Sequence, residues 1–261
     1  MDNAHVYALV TGASRGIGLS VSQALLRSGA RVIGTARSSA FPDGLVSHER
    51  FEGLYVDLAD RAQMEERLRP LFGRKEPPRV LVNNAGINEA APMDQDDGSW
   101  LDNWRHTMHV NLESPALLSK WALACWKDGE GSLRSASSED AQPVRGLLVN
   151  ISSRAAYRGD TQEYASYAAS KGGLVAFTKS VARDFGRHGI SAYSIAPGFI
   201  DTDMAEEAVE TYGRDYLTRG MAFDRITSPE EVGELVAFLA SGRVPHMTGA
   251  TFHINGGSYM N

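Results

Sequence analysis

The chain has 261 residues, 43% of them hydrophobic, and a formal net charge of −6, so it can bury a substantial core and lacks the basic surplus that nucleic-acid binding calls for. Cys125 is its one cysteine, which rules out an intramolecular disulfide and multi-thiolate zinc sites and suits a reducing, cytoplasmic setting. No run of about 18 apolar residues suggests a membrane span, and the start M-D-N-A-H-V-Y-A-L-V lacks the basic stretch and long apolar core of a secretory signal.

In chain order, the first apolar run covers 6–11 and leads through T-G-A-S-R-G-I-G (11–18) into a helix expected at 17–28. Gly12 suits a tight turn, Gly16 lets backbone approach a pyrophosphate, and Gly18 allows close helix–strand contact. Free N–H groups at the helix start would meet the phosphates. The spacing G-x-x-x-G-x-G departs from the usual dinucleotide fingerprint, and a plain glycine-rich turn is the bland reading. The second run, 31–36, ends in Ala36 and Arg37, where a carboxylate would otherwise take the ribose 2′-hydroxyl of NAD. Arg37, with Arg15 in the turn, would instead pair with a 2′-phosphate, so NADP(H) is expected over NAD(H); the bland alternative is that both are solvated.

A strand at 53–57 and a helix at 60–72 follow, then a strand at 79–84 closing in N-N-A-G (83–86). A long helix is expected over 100–127, carrying Asn111 and flanked by His106 and His109. The three-residue histidine spacing could mark a metal pair, but no acidic or thiol cluster completes one, and surface or interface histidines are the plainer reading. The small, polar segment 129–144 reads as an inserted surface loop, with partner binding as the minor alternative. Strand 146–151 leads into I-S-S (151–153), and a helix at 165–187 carries Y-A-S-Y-A-A-S-K (164–171).

Residues four apart share a helix face, so Tyr167 and Lys171 would enter one cleft. An ammonium beside a phenol lowers the phenol's pKa toward the working pH of a proton donor. Tyr164 has no such cation four residues on. Strand 191–196 and P-G (197–198) precede a segment at 199–220 that reads as a substrate lid; helix 229–241 and strand 251–255 complete the chain. Strands alternating with helices, each apolar on consecutive residues, imply one α/β domain over 1–261, a Rossmann-type doubly wound and mainly parallel seven-stranded sheet flanked by helices.

The joint order of the glycine turn, N-N-A-G, H-V-N-L, I-S-S, the Tyr167–Lys171 pair, P-G and I-N-G-G (254–257) resembles the short-chain dehydrogenase/reductase family over nearly the whole chain. The 3-oxoacyl-carrier-protein reductases and related carbonyl reductases look most alike. The resemblance implies a catalytic tetrad of Asn111, Ser153, Tyr167 and Lys171, with Ser152 as the rival serine. It implies cofactor contacts from Ser14 and Ile17 in the turn, from Asp57 and Leu58 near the adenine, and from Asn83, Ala85 and Gly86 along the ribose. Tyr167 and Lys171 join them at the nicotinamide ribose, with Pro197, Gly198, Ile200 and Thr202 around the carboxamide.

The implied activity is hydride transfer between NADP(H) and a small carbonyl or secondary alcohol, with Tyr167 as acid/base, in a homo-oligomer, a tetramer or dimer. A sensor or scaffold binding NADP(H) without chemistry, and an epimerase or dehydratase of the extended relatives, are the competing readings. Arg154 could take an anionic substrate group or form a surface ion pair. Tyr157 and Tyr164 could wall the substrate or simply pack, and Met93 and Met204 could line its pocket or fill core. Glu206, Glu207 and Glu210 read as a solvated face of the lid.

Overall fold

Runs that are apolar on consecutive residues become strands covered on both faces. The computed structural model describes residues 3–38, 40–129, 131–133, 143–202 and 213–260. Its seven strands are β1 Tyr7–Val10, β2 Arg31–Ala36, β3 Phe51–Tyr55, β4 Val80–Asn83, β5 Gly146–Ile151, β6 Ile190–Pro197 and β7 Thr251–Ile254. All pair in parallel, in the order β3-β2-β1-β4-β5-β6-β7. The central strands β1, β4, β5 and β6 are buried throughout, whereas β3 and β7, at the two edges, are only partly covered.

Alternation along β1 divides the core. Ala8 and Val10 face α1 (Gly16–Arg27) and α9 (Pro229–Ala240), joining Val21, Leu25, Val232 and Val236. Leu9 faces the other way, toward Leu118 and Trp126 of α5 (Ser114–Asp128) and Val181 of α7 (Ala165–Phe185). The order reverses at β1, which pairs with both β2 and β4, so a crevice opens beyond their carboxyl ends.

The expected helix over 60–72 breaks. α3 (Arg61–Arg67) gives way to a tighter turn at Arg69–Gly73, because Pro70 has no N–H to extend the ladder. The expected long helix over 100–127 is also interrupted. α4 (Asp97–Met108) passes through a wide turn at His109–Glu113 into α5, and the Ser114 amide bonds the His109 carbonyl, five residues back. Pro115 cannot donate to the Asn111 carbonyl, which is where the regular ladder must fail. Two short helices carried no periodic signal: α2 (Asp43–Val46) and α6 (Ala155–Arg158).

Behind the crevice lies a buried polar chain. The Asn83 amide donates to Asn150 Oδ1 at 2.8 Å, and Asn150 donates to Thr178 Oγ1 at 2.7 Å. Ser194 Oγ reaches the same threonine at 3.1 Å. Asn83 is register-paired with Asn150, and Asn150 with Ser194.

Of the expected surface loop 129–144, Leu133 and Val144 are buried against the core, and residues 130 and 134–142 lie outside the described residues. Of the expected lid, Phe199 packs near Leu217 of α8 (Arg214–Thr218) and Ile226. Residues 203–212, with Met204, Glu206, Glu207 and Glu210, lie outside the described residues. Among the described residues no helix is long and apolar enough to cross a membrane.

Candidate active site

The glycine turn sits at the carboxyl end of β1, pinned from both neighbouring strands. Gly12 and Gly16 take φ of +67° and +54°, backbone that a side chain would strain. Thr11 Oγ1 accepts the Asn84 and Ala85 amides at 3.0 and 3.1 Å, and the Asn84 side chain donates to the Thr11 and Gly12 carbonyls at 2.9 and 3.1 Å. On the β2 side, the Ala13 amide bonds the Thr35 carbonyl at 2.7 Å. Gly18 faces this turn so closely that a methyl there would overlap the Gly12 carbonyl and lie 2.5 Å from the Asn84 amide nitrogen. α1 starts with no side-chain cap and no acid in its first turn. Ile17 packs on the core, and Ser14 is half-buried.

Around the turn, the other residues implied by the resemblance take up distinct places. Arg15 and Arg37 are exposed, Arg37 just past the end of β2. Asp57 caps its own loop, its Oδ1 accepting the Ala59 amide at 2.9 Å. Leu58 is buried, and its carbonyl accepts the Ser114 hydroxyl at 2.7 Å. His109 bonds Glu113 at 3.0 Å and the Ala59 carbonyl at 3.2 Å, so it ties that loop to the wide turn; His106 lies 3.9 Å from Glu89. Among the described residues no cluster of three metal-ligating side chains forms.

Asn83 turns its amide away from the crevice into the polar chain, while its neighbour Asn84 faces the glycine turn. Thr11, Thr35 and Asn84 escaped the sequence reading because the contacts that matter join strands far apart in the chain.

Gly86 lines the way from the turn to the tetrad. A Cβ there would lie 3.1 Å from Asn111 Oδ1 and 3.2 Å from Lys171 Nζ. From the other side, Thr202 leans over the turn, 3.2 Å from where a Gly16 Cβ would stand. Ile200 is buried and bridges to Thr227. Pro197 ends β6, and Gly198 passes so close to Asn255 that a Cβ would sit 2.9 Å from its Cα.

The structure brings the tetrad residues together at the ends of β4 and β5. Fully buried Asn111 acts as a strand partner for Ile87, donating to its carbonyl and accepting its amide, each at 2.8 Å. It also bonds Ser170 Oγ at 3.2 Å, and Ser170 bonds the Tyr167 carbonyl at 2.7 Å. The wide turn presents Asn111 in this way. Lys171 is 4% exposed; its Nζ donates to the Ile151 carbonyl at 2.9 Å and lies 5.7 Å from the Tyr167 ring centre.

The two serines part company. Ser152 is buried with its hydroxyl spent on the Lys171 carbonyl at 2.9 Å. Ser153 is half-buried, accepts the Ala155 amide at 3.1 Å and, unlike Ser152, acts on the Tyr167 phenol.

Burial pushes the Tyr167 pKa up, the Ser153 hydrogen bond pulls it down, and the Asp160 charge adds a further push upward. The expected lowering by Lys171 is not among these influences. The ammonium is itself desolvated, its pKa brought down to about 8, and its proton points at a backbone carbonyl over the ring rather than at the hydroxyl. The phenol is thereby held protonated at neutral pH.

Tyr157 packs on the edge strand, its hydroxyl bonding Thr251 Oγ1 at 2.8 Å and its ring meeting His253. Tyr164 marks the start of α7, and Met93 is exposed.

The family model described as enoyl-(acyl carrier protein) reductase matches residues 12–259. The 3-oxoacyl-acyl-carrier-protein reductase of Vibrio cholerae is 34% identical over 97% of both chains, and that of Escherichia coli K12 is 36% identical over the same shares. Two solved structures share the fold. A protein from Beutenbergia cavernae described as an NAD(P)-dependent gluconate 5-dehydrogenase, with NADP bound at low occupancy, superposes with TM-score 0.86 at 27% identity, covering 98% of both chains. A protein from Agrobacterium tumefaciens described as a 2-deoxy-D-gluconate 3-dehydrogenase, with NADP bound, gives 0.81 at 26% identity, covering 97% of this chain and 96% of that one. With motifs, sheet order and near full-length identity in agreement, the chain belongs to the short-chain dehydrogenase/reductase family of oxidoreductases.

Proposed function

We propose that this chain is an NADP(H)-dependent oxidoreductase that interconverts a small carbonyl compound and a secondary alcohol, with Tyr167 as the proton donor and acceptor. The observation that carries the reading is the Tyr167–Lys171 arrangement, the buried ammonium anchored on the Ile151 carbonyl 5.7 Å from the centre of the Tyr167 ring, with Ser153 as the hydroxyl that acts on the phenol.

The residues fit a dinucleotide: where its backbone must lie close, Gly12, Gly16 and Gly86 leave out side chains that would collide with their surroundings. The uncapped start of α1 would take the pyrophosphate. Arg37 and Arg15 would take the 2′-phosphate, and both structural relatives named above hold NADP. Asp57 and Leu58 would border the adenine, and Pro197 to Thr202 the nicotinamide end. When bound, the nicotinamide supplies or accepts the hydride.

The chain's own residues handle the oxygen and its proton. Ser153 would hold the carbonyl oxygen of the substrate by donating its hydroxyl hydrogen. Tyr167, kept protonated by burial, donates to that oxygen as the carbon gains hydride, and recovers its proton from solvent. Lys171 holds positive charge beneath the ring, anchored on Ile151, and offsets the charge that the phenolate would carry. Asn111 fixes Ile87, so the strand end beside Lys171 keeps its shape. In the alcohol-oxidising direction Tyr167 takes the proton. A cytoplasmic homo-oligomer, a tetramer or dimer, is the setting that the single cysteine and the family likeness support.

Replacing Tyr167 with Phe removes the proton donor and keeps the ring. Turnover of NADPH with carbonyl substrates is expected to fall about 1,000-fold. NADPH affinity, read by fluorescence titration, is expected to stay within about twofold, since the deleted hydroxyl serves the proton step. Undiminished turnover would remove Tyr167 from the reaction.

A further inference from the structure

We propose that Arg154 is the specificity-determining residue of this site and that the substrate is a small oxo acid or hydroxy acid whose carboxylate it receives. This deepens the oxidoreductase reading and rests on it.

Arg154 directly follows Ser153, so its backbone is one Cα step, about 3.8 Å, from that of the residue assigned to hold the carbonyl oxygen. It is 8% exposed, an uncommon position for a guanidinium. Its surroundings are specific. The amide bonds the Pro197 carbonyl at 2.9 Å, Nη1 donates to Ser258 Oγ at 2.8 Å, and the guanidinium lies 4.3 Å from the centre of the Phe199 ring. Phe199 and Ser258 belong to the segments after β6 and β7, beside the nicotinamide end of the crevice.

Among the described residues no carboxylate lies within ion-pair distance of Arg154. Exposed arginines, by contrast, have theirs: Arg27 with Glu234 at 2.9 Å, Arg31 with Glu76 at 3.0 Å and Arg74 with Glu52 at 3.0 Å. Exposed Asp160 acts on Arg154 only from a distance, and Arg158 works against it. The pKa is brought down to about 10 by burial, which still leaves the group charged at neutral pH.

A guanidinium has five N–H donors in a flat fork. One hydroxyl and one ring face compensate only part of its lost hydration. A carboxylate accepts two parallel N–H bonds from such a fork and supplies the missing charge. With the carbonyl oxygen at Ser153 and Tyr167, the carboxylate must lie only a few bonds from the reacting carbon. It takes no part in the redox step; it sets the orientation of the carbonyl.

The competing reading is a purely structural tie between Ser258, Phe199 and the end of β5. Paired substrates separate the two. NADPH oxidation is measured with acetoacetate and levulinate and with their ethyl esters, for the natural chain, Arg154→Met and Arg154→Lys. Binding of acetoacetate to the protein–NADP+ complex is measured by calorimetry, and folding by thermal melting.

The acids are expected to be preferred over their esters at least about tenfold in kcat/KM. Arg154→Met should lose about 10- to 100-fold on the acids, mainly through KM, and leave the esters within about twofold. Arg154→Lys, a point charge without the fork, should fall between. Equal losses on acids and esters, a natural chain indifferent to esterification, or calorimetric binding absent from the natural chain or unchanged in Arg154→Met would overturn the proposal. If Arg154→Met does not fold, the Lys variant decides by the same acid-to-ester ratio. Failure to oxidise NADPH with any substrate, despite tight NADPH binding, would strike the oxidoreductase reading instead, and the calorimetry would still decide the arginine.

Discussion

The glycine turn and the tetrad stand at the same edge of the same sheet and are built in opposite ways. The turn works by leaving side chains out: Gly12 and Gly18 keep backbone close to backbone, Gly16 leaves room for the Thr202 side chain, and Thr11 at the end of β1 and Asn84 at the end of β4 clamp the result. The tetrad works by burying polar side chains whose bonds run mostly to main-chain carbonyls, as Lys171 to Ile151 and Asn111 to Ile87, and the neighbouring Ser152 braces it by bonding the Lys171 carbonyl. A site of the first kind should fail by steric overlap and take stability with it. A site of the second kind should lose chemistry while the fold survives, or even gains.

Gly18→Ala tests the first half most severely. Its methyl would meet the Gly12 carbonyl and the Asn84 side chain, with backbone on one side that cannot give way cheaply. A loss of about 3 kcal/mol or more in urea unfolding is expected, along with NADPH binding. Unchanged stability would mean that the turn is looser than its contacts imply.

The adjacent serines sharpen the second half. Ser153→Ala should lower kcat about 100-fold with stability held within about 0.5 kcal/mol. Ser152→Ala should instead cost about 1 kcal/mol of stability through the lost bond to Lys171. The reverse pattern in kinetics and melting would exchange their roles.

The smallest effect should be a gain. Lys171→Met removes a buried ammonium whose pKa is brought down to about 8 in the fold, against 10.5 for the free side chain. Below pH 8 the lysine is charged in the folded and unfolded chains alike, and its burial penalty is fully present. Between pH 8 and 10.5 the unfolded chain holds the extra proton, so the natural protein gains stability as pH rises. The variant is therefore expected to be about 1–2 kcal/mol more stable at pH 7, net of the lost Ile151 bond, and inactive. That advantage should shrink toward pH 10. A pH-independent difference would contradict the burial argument.

Much of this was legible in the residues. Runs such as V-L-V-N and G-L-L-V-N-I suit strands covered on both sides, and all seven strands lie where expected to within a few residues. The Tyr167–Lys171 spacing gave the shared face but not the direction of Nζ, which depends on where the end of β5 lies. The wide turn at Asn111 was readable from Pro115, had the missing donor been weighed against the apolar pattern around it. Four-residue helices such as α2 and α6 are too short to show a period. Thr11 and Asn84 are 73 positions apart, and nothing local announces their bond.

The Asn83–Asn150–Thr178–Ser194 chain has a bearing on assembly rather than on turnover. Parallel strands of aliphatic residues are interchangeable by small slips, since one Val or Leu covers another about as well. Here two amides and a hydroxyl must line up across β4, β5 and β6 and meet one threonine of α7. A slip of one position would strand several of these groups in a dry interior. The greasiest part of the sheet thus carries its own alignment marks, and the chain can settle the order of its middle strands before any ligand arrives to reward the correct one.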